Sequence, residues 1–190
     1  MTGSHEVCLV LNTMTLKLES GKDPNKQWLA AYVKMHHERK TRDRLTAMGI
    51  VNFLPAQMEL RTWSDRVKEV ERVLIPMMIF VYVDRIEQLE VLKQPSVIRY
   101  MVLRNEHKPT IIPDRQMDRF RFLLEHAEKT VSFSSDLLTA GQLVRVMKGP
   151  LAGLEGEVVM VQGKSRVAVQ IDHLGYAIVE IEQEMVRPIE

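Results

Sequence analysis

Cysteine is almost missing from this sequence: Cys8 stands alone. A lone thiol excludes an intramolecular disulfide and any zinc site built on paired cysteines. Long hydrophobic runs are missing as well. The longest, residues 73–83, is about half the ~20 residues a membrane span needs, and Pro76 interrupts it. The opening residues carry His5, Glu6 and Lys17 around only a short apolar patch, residues 7–11, which does not read as a secretory leader. Motifs of common chemistry are missing too: no His-Glu-x-x-His, no Gly-x-Ser-x-Gly, and no Gly-x-Gly-x-x-Gly after a strand. The glycine-rich residues 149–156 lack the Lys-Ser/Thr pair of a phosphate loop. His36-His37-Glu38 superficially suggests a metal, but adjacent side chains point apart and no third ligand is at hand. These absences predict a soluble, cytoplasmic protein that is not an enzyme and has no cofactor or metal; separately, the chain is expected to be a monomer.

What is present is ordinary globular composition with an uneven charge map. Of 190 residues, 45% are hydrophobic and 27% charged, enough for one medium domain or two small ones. The formal net charge is +1, yet the residues after Thr139 are net −2, leaving +3 for those before. Residues 34–44 alone hold +3, from Lys34, Arg39, Lys40, Arg42 and Arg44 against Glu38 and Asp43, with His36 and His37 beside them. Local excess of this kind is the footprint of a binding patch. A solvated helix face with Glu38 and Arg42 as an i,i+4 pair is the competing reading.

The order of elements divides the chain. Residues 1–26 lack a sustained period and end in the breaker-rich Ser20-Gly21-Lys22-Asp23-Pro24-Asn25, which predicts a flexible extension. Residues 27–129 interleave strands and helices. A strand at residues 28–35 leads to a helical stripe of Thr41, Leu45 and Met48 stopped by Gly49. After a short strand at residues 51–54, residues 58–63 and 67–74 read as a charged hairpin with exposed arms. Residues 75–83 form the most buried-looking strand, with Met78 and Phe80 on one face and Met77, Ile79 and Val81 on the other. Ile86, Leu89 and Leu92 mark a short helix, residues 97–103 a strand, and Met117, Phe120, Leu124 and Ala127 a second long helix. The pattern is α+β: an antiparallel-sheet sandwich. Residues 130–138, small and polar, read as a linker between two independently moving domains of opposite charge. Residues 139–190 carry only short, closely spaced strands, as in a small SH3-like barrel. Gly149, Gly153 and Gly156 suit its sharp corner, and Leu151 and Leu154 either plug its core or form an exposed apolar tip.

Gly141-Gln142-Leu143-Val144-Arg145-Val146-Met147-Lys148-Gly149-Pro150-Leu151-Ala152-Gly153-Leu154-Glu155-Gly156-Glu157-Val158 resembles the KOW motif of the NusG family. Upstream, Trp28 on a first strand, Val51-Asn52-Phe53-Leu54-Pro55, the hairpin and Ile75-Pro76-Met77-Met78-Ile79-Phe80-Val81 resemble that family's N-terminal (NGN) domain, with Met77-Met78 in place of its usual Gly-Tyr. The sequence is most similar to UpxY-like specialised paralogs of capsular-polysaccharide operons. The resemblance implies a transcription elongation and antitermination factor. Its N-terminal domain would dock on the clamp helices of the largest RNA polymerase subunit, through Leu29, Ile75, Met78 and Phe80 by position. Lys34, His36, His37, Arg39 and Lys40 would face the non-template DNA strand, where imidazoles or Tyr32 are able to stack on bases. The KOW domain would reach a ribosomal protein or Rho, with Leu151 and Leu154 as its contact. An RNA- or ribosome-binding KOW protein that never meets polymerase is the alternative, and it calls for a basic barrel.

Overall fold

Alternation along two central strands decides the architecture of the first domain. The structure is a computed structural model that describes residues 23–62, 66–135, 141–161 and 164–189. Expectations for residues 1–22, 63–65, 136–140 and 162–163 lie outside the described residues. Strand β1 (Gln27–Val33) lies between β5 (Met78–Val83) and β6 (Val97–Tyr100), and β2 (Val51–Phe53) pairs with the far side of β5. All these pairings are antiparallel, as is that of the short β7 (Ile111–Ile112) with β1. Leu29, Ala31, Val33, Ile79, Val81 and Val83 pack with Leu45 of α1 (Glu38–Ala47) and Val91 of α2 (Arg85–Leu92). Trp28, Ala30, Met78, Phe80 and Tyr82, on the other face, join Met117, Phe120, Leu123 and Leu124 of α3 (Asp114–His126). Both faces of the sheet are therefore covered. The hairpin of β3 (Ala56–Thr62) and β4 (Val67–Val73) forms a separate two-stranded sheet.

Helix α2 is rotated from the expected orientation. Ile86, Leu89 and Leu92 are exposed, Ile86 by 74%, and Val91 is the buried residue. Polar anchors set this rotation. Asp84 Oδ1 accepts from the amides of Ile86 at 2.7 Å and Glu87 at 2.8 Å, while Glu87 accepts from the Asp84 amide at 3.1 Å. Lys26 pairs with Glu87 at 2.6 Å, and the Tyr100 hydroxyl donates to the Gln88 carbonyl at 3.0 Å.

The second sheet runs β13-β9-β10-β11-β12-β8, built from β9 (Leu143–Val146), β10 (Glu155–Val161), β11 (Lys164–Ile171), β12 (Gly175–Glu180) and β13 (Val186–Pro188). Its sixth strand, β8 (Ser132–Ser134), comes from the stretch expected as linker. Small polar residues without helical period suit an edge strand as well as a tether, and β12 offers an open edge. Gly153 takes φ 92° at the corner. At Gly156 a β-carbon would stand 2.6 Å from the Ala168 carbonyl oxygen and 2.8 Å from Val167 Cγ1. Gly156→Ala is expected to cost the barrel about 1–3 kcal/mol, read by chemical denaturation, because the obstacle is backbone rather than a flexible side chain.

The two domains meet. Helix α3 packs on β11, and the Asp172 amide donates to Gln116 Oε1 at 2.8 Å. Glu155 binds Arg115 of α3 at 2.6 Å, Arg119 of α3, and Arg145 of its own barrel at 2.6 Å. Lys129 reaches Glu180 at 3.5 Å. The opposite charges that suggested separate motion instead give the two surfaces something to attract.

Candidate functional site

The basic stretch folds into one exposed turn and the first turn of a helix. The His37 amide donates to the Lys34 carbonyl at 3.0 Å, closing a β-turn in which His36 takes φ 62°. The Lys34 amide donates to the Ser96 carbonyl at 2.8 Å, and Thr41 Oγ1, buried, reaches Ser96 Oγ at 2.7 Å and the His37 carbonyl at 2.8 Å. These bonds fix the turn against the start of β6. Lys34, His36, His37, Arg39 and Lys40 are all exposed, so the structure brings the five together on one surface.

Their charges are not equally available. Arg39 Nε lies 2.7 Å from Glu71 Oε2 on β4, Arg42 lies 2.6 Å from Glu71 Oε1, and Arg42 Nε lies 2.9 Å from Asp43 Oδ1. Among the described residues Lys34, Lys40 and Arg44 have no ion pair. Glu38 does not form the expected pair with Arg42. Its side chain is buried, and its carboxylate accepts from the Met77 amide at 2.9 Å. Burial works against its charge, but amide hydrogen bonds, from Met77 foremost, hold its pKa below the ordinary value. The Met77 carbonyl in turn accepts from Val33 at 2.8 Å. Met77 stands at φ 60°, the left-handed region that favours glycine.

The expected docking residues lie elsewhere. Leu29, Ile75, Met78 and Phe80 are 0%, 8%, 4% and 0% exposed. Leu29 belongs to the α1–α2 side of the sheet and the other three to the α3 side. Alternation correctly separates the two faces, but helices cover both, so none of the four side chains presents itself to a partner. Phe80 instead sits in an aromatic cluster, 6.3 Å from Phe53 and 6.0 Å from Phe120 between ring centroids. Leu151 and Leu154 are also buried, as core plugs rather than as an exposed tip. Leu151 helps wall a cavity of about 190 Å³ with His126, Lys148, Pro150, Val179 and Met185.

Arg99 carries no signal in the sequence, because it is an isolated cation outside the basic run. In the structure it is exposed and sits 4.9 Å above the centroid of Tyr32, its cross-strand neighbour. Among the described residues no group of His, Cys, Asp and Glu is arranged to hold a metal, and no helix is long and apolar enough to cross a membrane.

The described chain is an α/β sandwich carrying a basic turn, joined to a small barrel. Residues 26–121, half of the chain, match the family described as transcription termination factor nusG, and residues 140–172 match the KOW motif. The chain belongs to the NusG family of transcription factors. No curated protein matches it at significance. Among solved structures, one described as domain interaction in Thermotoga maritima NusG is 20% identical with a TM-score of 0.46, covering 87% of this chain and 98% of that one. The MjSpt4:Spt5 complex in conformation B is 13% identical with a TM-score of 0.29, covering 85% and 96%.

Proposed function

We propose that this chain is a transcription elongation and antitermination factor of the specialised, UpxY-like kind, acting in the cytoplasm as a monomeric bridge with no chemistry of its own. The NGN-like domain, residues 27–129, docks on the clamp helices of the largest polymerase subunit. The KOW domain, residues 139–190, reaches a ribosomal protein or Rho. The observation that carries the reading is the exposed turn of Lys34, His36, His37, Arg39 and Lys40, held rigidly by Thr41 and Ser96 on a NusG-family domain. Rigid cations on a polymerase-bound module suit the non-template strand, because docking supplies the effective concentration that a few phosphate contacts lack.

With Leu29, Ile75, Met78 and Phe80 in the core, their part in docking is to hold the shape of the surface above them. Phe53 and Phe122, half-buried and packed on the same cluster, stand at its outer layer on the α3 side. Leu151 serves KOW partners as a wall of the cavity beside α3. The alternative, a ribosome- or RNA-binding protein independent of polymerase, calls for a basic barrel, and this one is net −2.

Single-round transcription on assembled elongation complexes tests the proposal. Full-length chain is expected to alter pausing or readthrough, and a Lys34→Ala, Lys40→Ala variant to lose that effect while still binding polymerase. No effect on elongation together with no polymerase binding would reject it. A second expectation concerns Glu71. Glu71→Gln removes the carboxylate charge opposite Arg39 and one of the two opposite Arg42, which keeps Asp43, so affinity for a single-stranded oligonucleotide is expected to rise, with the log–log salt slope steeper by up to roughly 0.7 as Arg39 engages a phosphate.

A further inference from the structure

The outer edge of the first sheet continues the basic turn. Strand β6 ends the sheet order, and the Lys34 amide is tied to Ser96 at its start. Two positions into the strand, exposed Ile98 is followed by Arg99, which pairs in register with Tyr32. Most arginines near these surfaces are committed to carboxylates: Arg39 and Arg42 to Glu71, and Arg115, Arg119 and Arg145 to Glu155. Arg99 differs. Its guanidinium lies over the half-buried Tyr32 ring, 4.9 Å from the centroid, and among the described residues it has no acidic partner. A guanidinium positioned by a ring rather than a carboxylate keeps its full charge and its fork of donors available. Exposed Ile98 and Met35 add apolar surface beside Arg99 and Lys34. Planar, cationic and apolar groups side by side are what a single strand requires, since every base has a π-face and every nucleotide a phosphate.

We infer that a single-stranded nucleic acid crossing the basic turn continues past Lys34 onto this edge, where Arg99 held over Tyr32 is the platform for one base and its phosphate. The inference rests on the reading of residues 34–40 as a nucleic-acid contact and adds two residues with separate roles. Arg99 contributes charge and a planar surface; Tyr32 positions Arg99 and contributes stacking area. The two roles leave different signatures. Losing a phosphate contact flattens the salt dependence, whereas losing a stacking contact lowers affinity at every salt concentration equally.

The test is binding of the full chain to a short, fluorescently labelled, mixed-sequence single-stranded DNA, titrated across salt from a low starting concentration. Arg99→Ala is expected to weaken binding and to reduce the log–log slope by about 0.7. Tyr32→Leu is expected to weaken binding roughly 5-fold or more, the lower end of a base–aromatic stack, with a smaller fall in slope than Arg99→Ala because the charge of Arg99 remains. The double variant is expected to lose less than the product of the two, because Tyr32 acts partly through Arg99. Thermal melting of each variant establishes that it is folded, and Arg99→Lys, which keeps charge but not the plane, is expected to restore the slope without restoring full affinity. If Lys34→Ala and Lys40→Ala weaken binding while folded Arg99→Ala and Tyr32→Leu leave affinity and slope unchanged, the edge platform is overturned and the basic-turn reading stands. No salt-dependent binding by the unaltered chain even at the lowest salt, where phosphate contacts are strong enough to be seen without docking, would overturn both.

Discussion

Glu155→Ala is expected to release the barrel from α3 and to raise the open population roughly 10- to 150-fold, the equivalent of about 1.5–3 kcal/mol for charge-assisted hydrogen bonds lost from a sheltered carboxylate. Glu155 of the barrel binds two side chains of the other domain, Arg115 and Arg119. Arg115 is largely exposed and contributes little. Arg119 is better sheltered, and Arg145 braces the carboxylate from the barrel side. Hydrogen bonds from Arg145 and Arg115, opposed by burial and helped by Arg119, lower the Glu155 pKa from 4.5 to about 2. The share of that depression supplied by Arg115 and Arg119 stabilises the closed arrangement: it is present above pH 4.5 and lost as pH falls towards 2, whereas the share from Arg145, in the same barrel, does not depend on closure. Rotational correlation times from NMR relaxation read the outcome. The unaltered chain should tumble as one body at neutral pH and separate on acidification, while Glu155→Ala should already be separated at neutral pH.

Phe120→Ala is expected to cost about 3–5 kcal/mol, the largest effect of any single change considered. The ring is fully buried on α3, meeting Phe53 edge-on at 5.6 Å and Phe80 at 6.0 Å between centroids. Its loss opens a cavity between helix and sheet and removes two favourable edge-to-face contacts. Because α3 is also the seat of the barrel, the damage extends to the domain contact. The melting temperature should fall by on the order of 10 °C. Phe120→Leu, which refills most of the volume, should recover more than half of that.

These two sites were unequally legible. The aromatic cluster is half visible: period alone puts Phe80 on a strand and Phe120 on a helix, and only their meeting needs the structure. Glu155 gave no sign, because its partners are 36 and 40 residues away and arginines on a charged helix read as solvated surface. The docking residues illustrate a general limit. Period 2 separates Met78 and Phe80 from Ile79 and Val81, but nothing in a strand says that a later helix, α3, will cover the face that looked free. Glu38 shows the same limit for charge. Counting placed it among solvated residues, whereas an amide 39 residues away draws it into the protein. The KOW corner was the opposite case. Gly149 and Gly153 take positive φ at the corner, a purely local demand legible in the sequence, whereas Gly156 lies in β10 and is required by the close approach of β11, twelve residues on.

Photocrosslinking within an assembled elongation complex carrying a crosslinkable non-template strand tests the central claim most directly. The proposed factor, bound to polymerase, should crosslink to that strand from the exposed turn. Replacing Lys34, Arg39 and Lys40 by Ala should abolish the crosslinks while polymerase binding stays nearly intact. Undiminished crosslinking in the triple variant, or a chain that does not bind polymerase at all, would contradict the account.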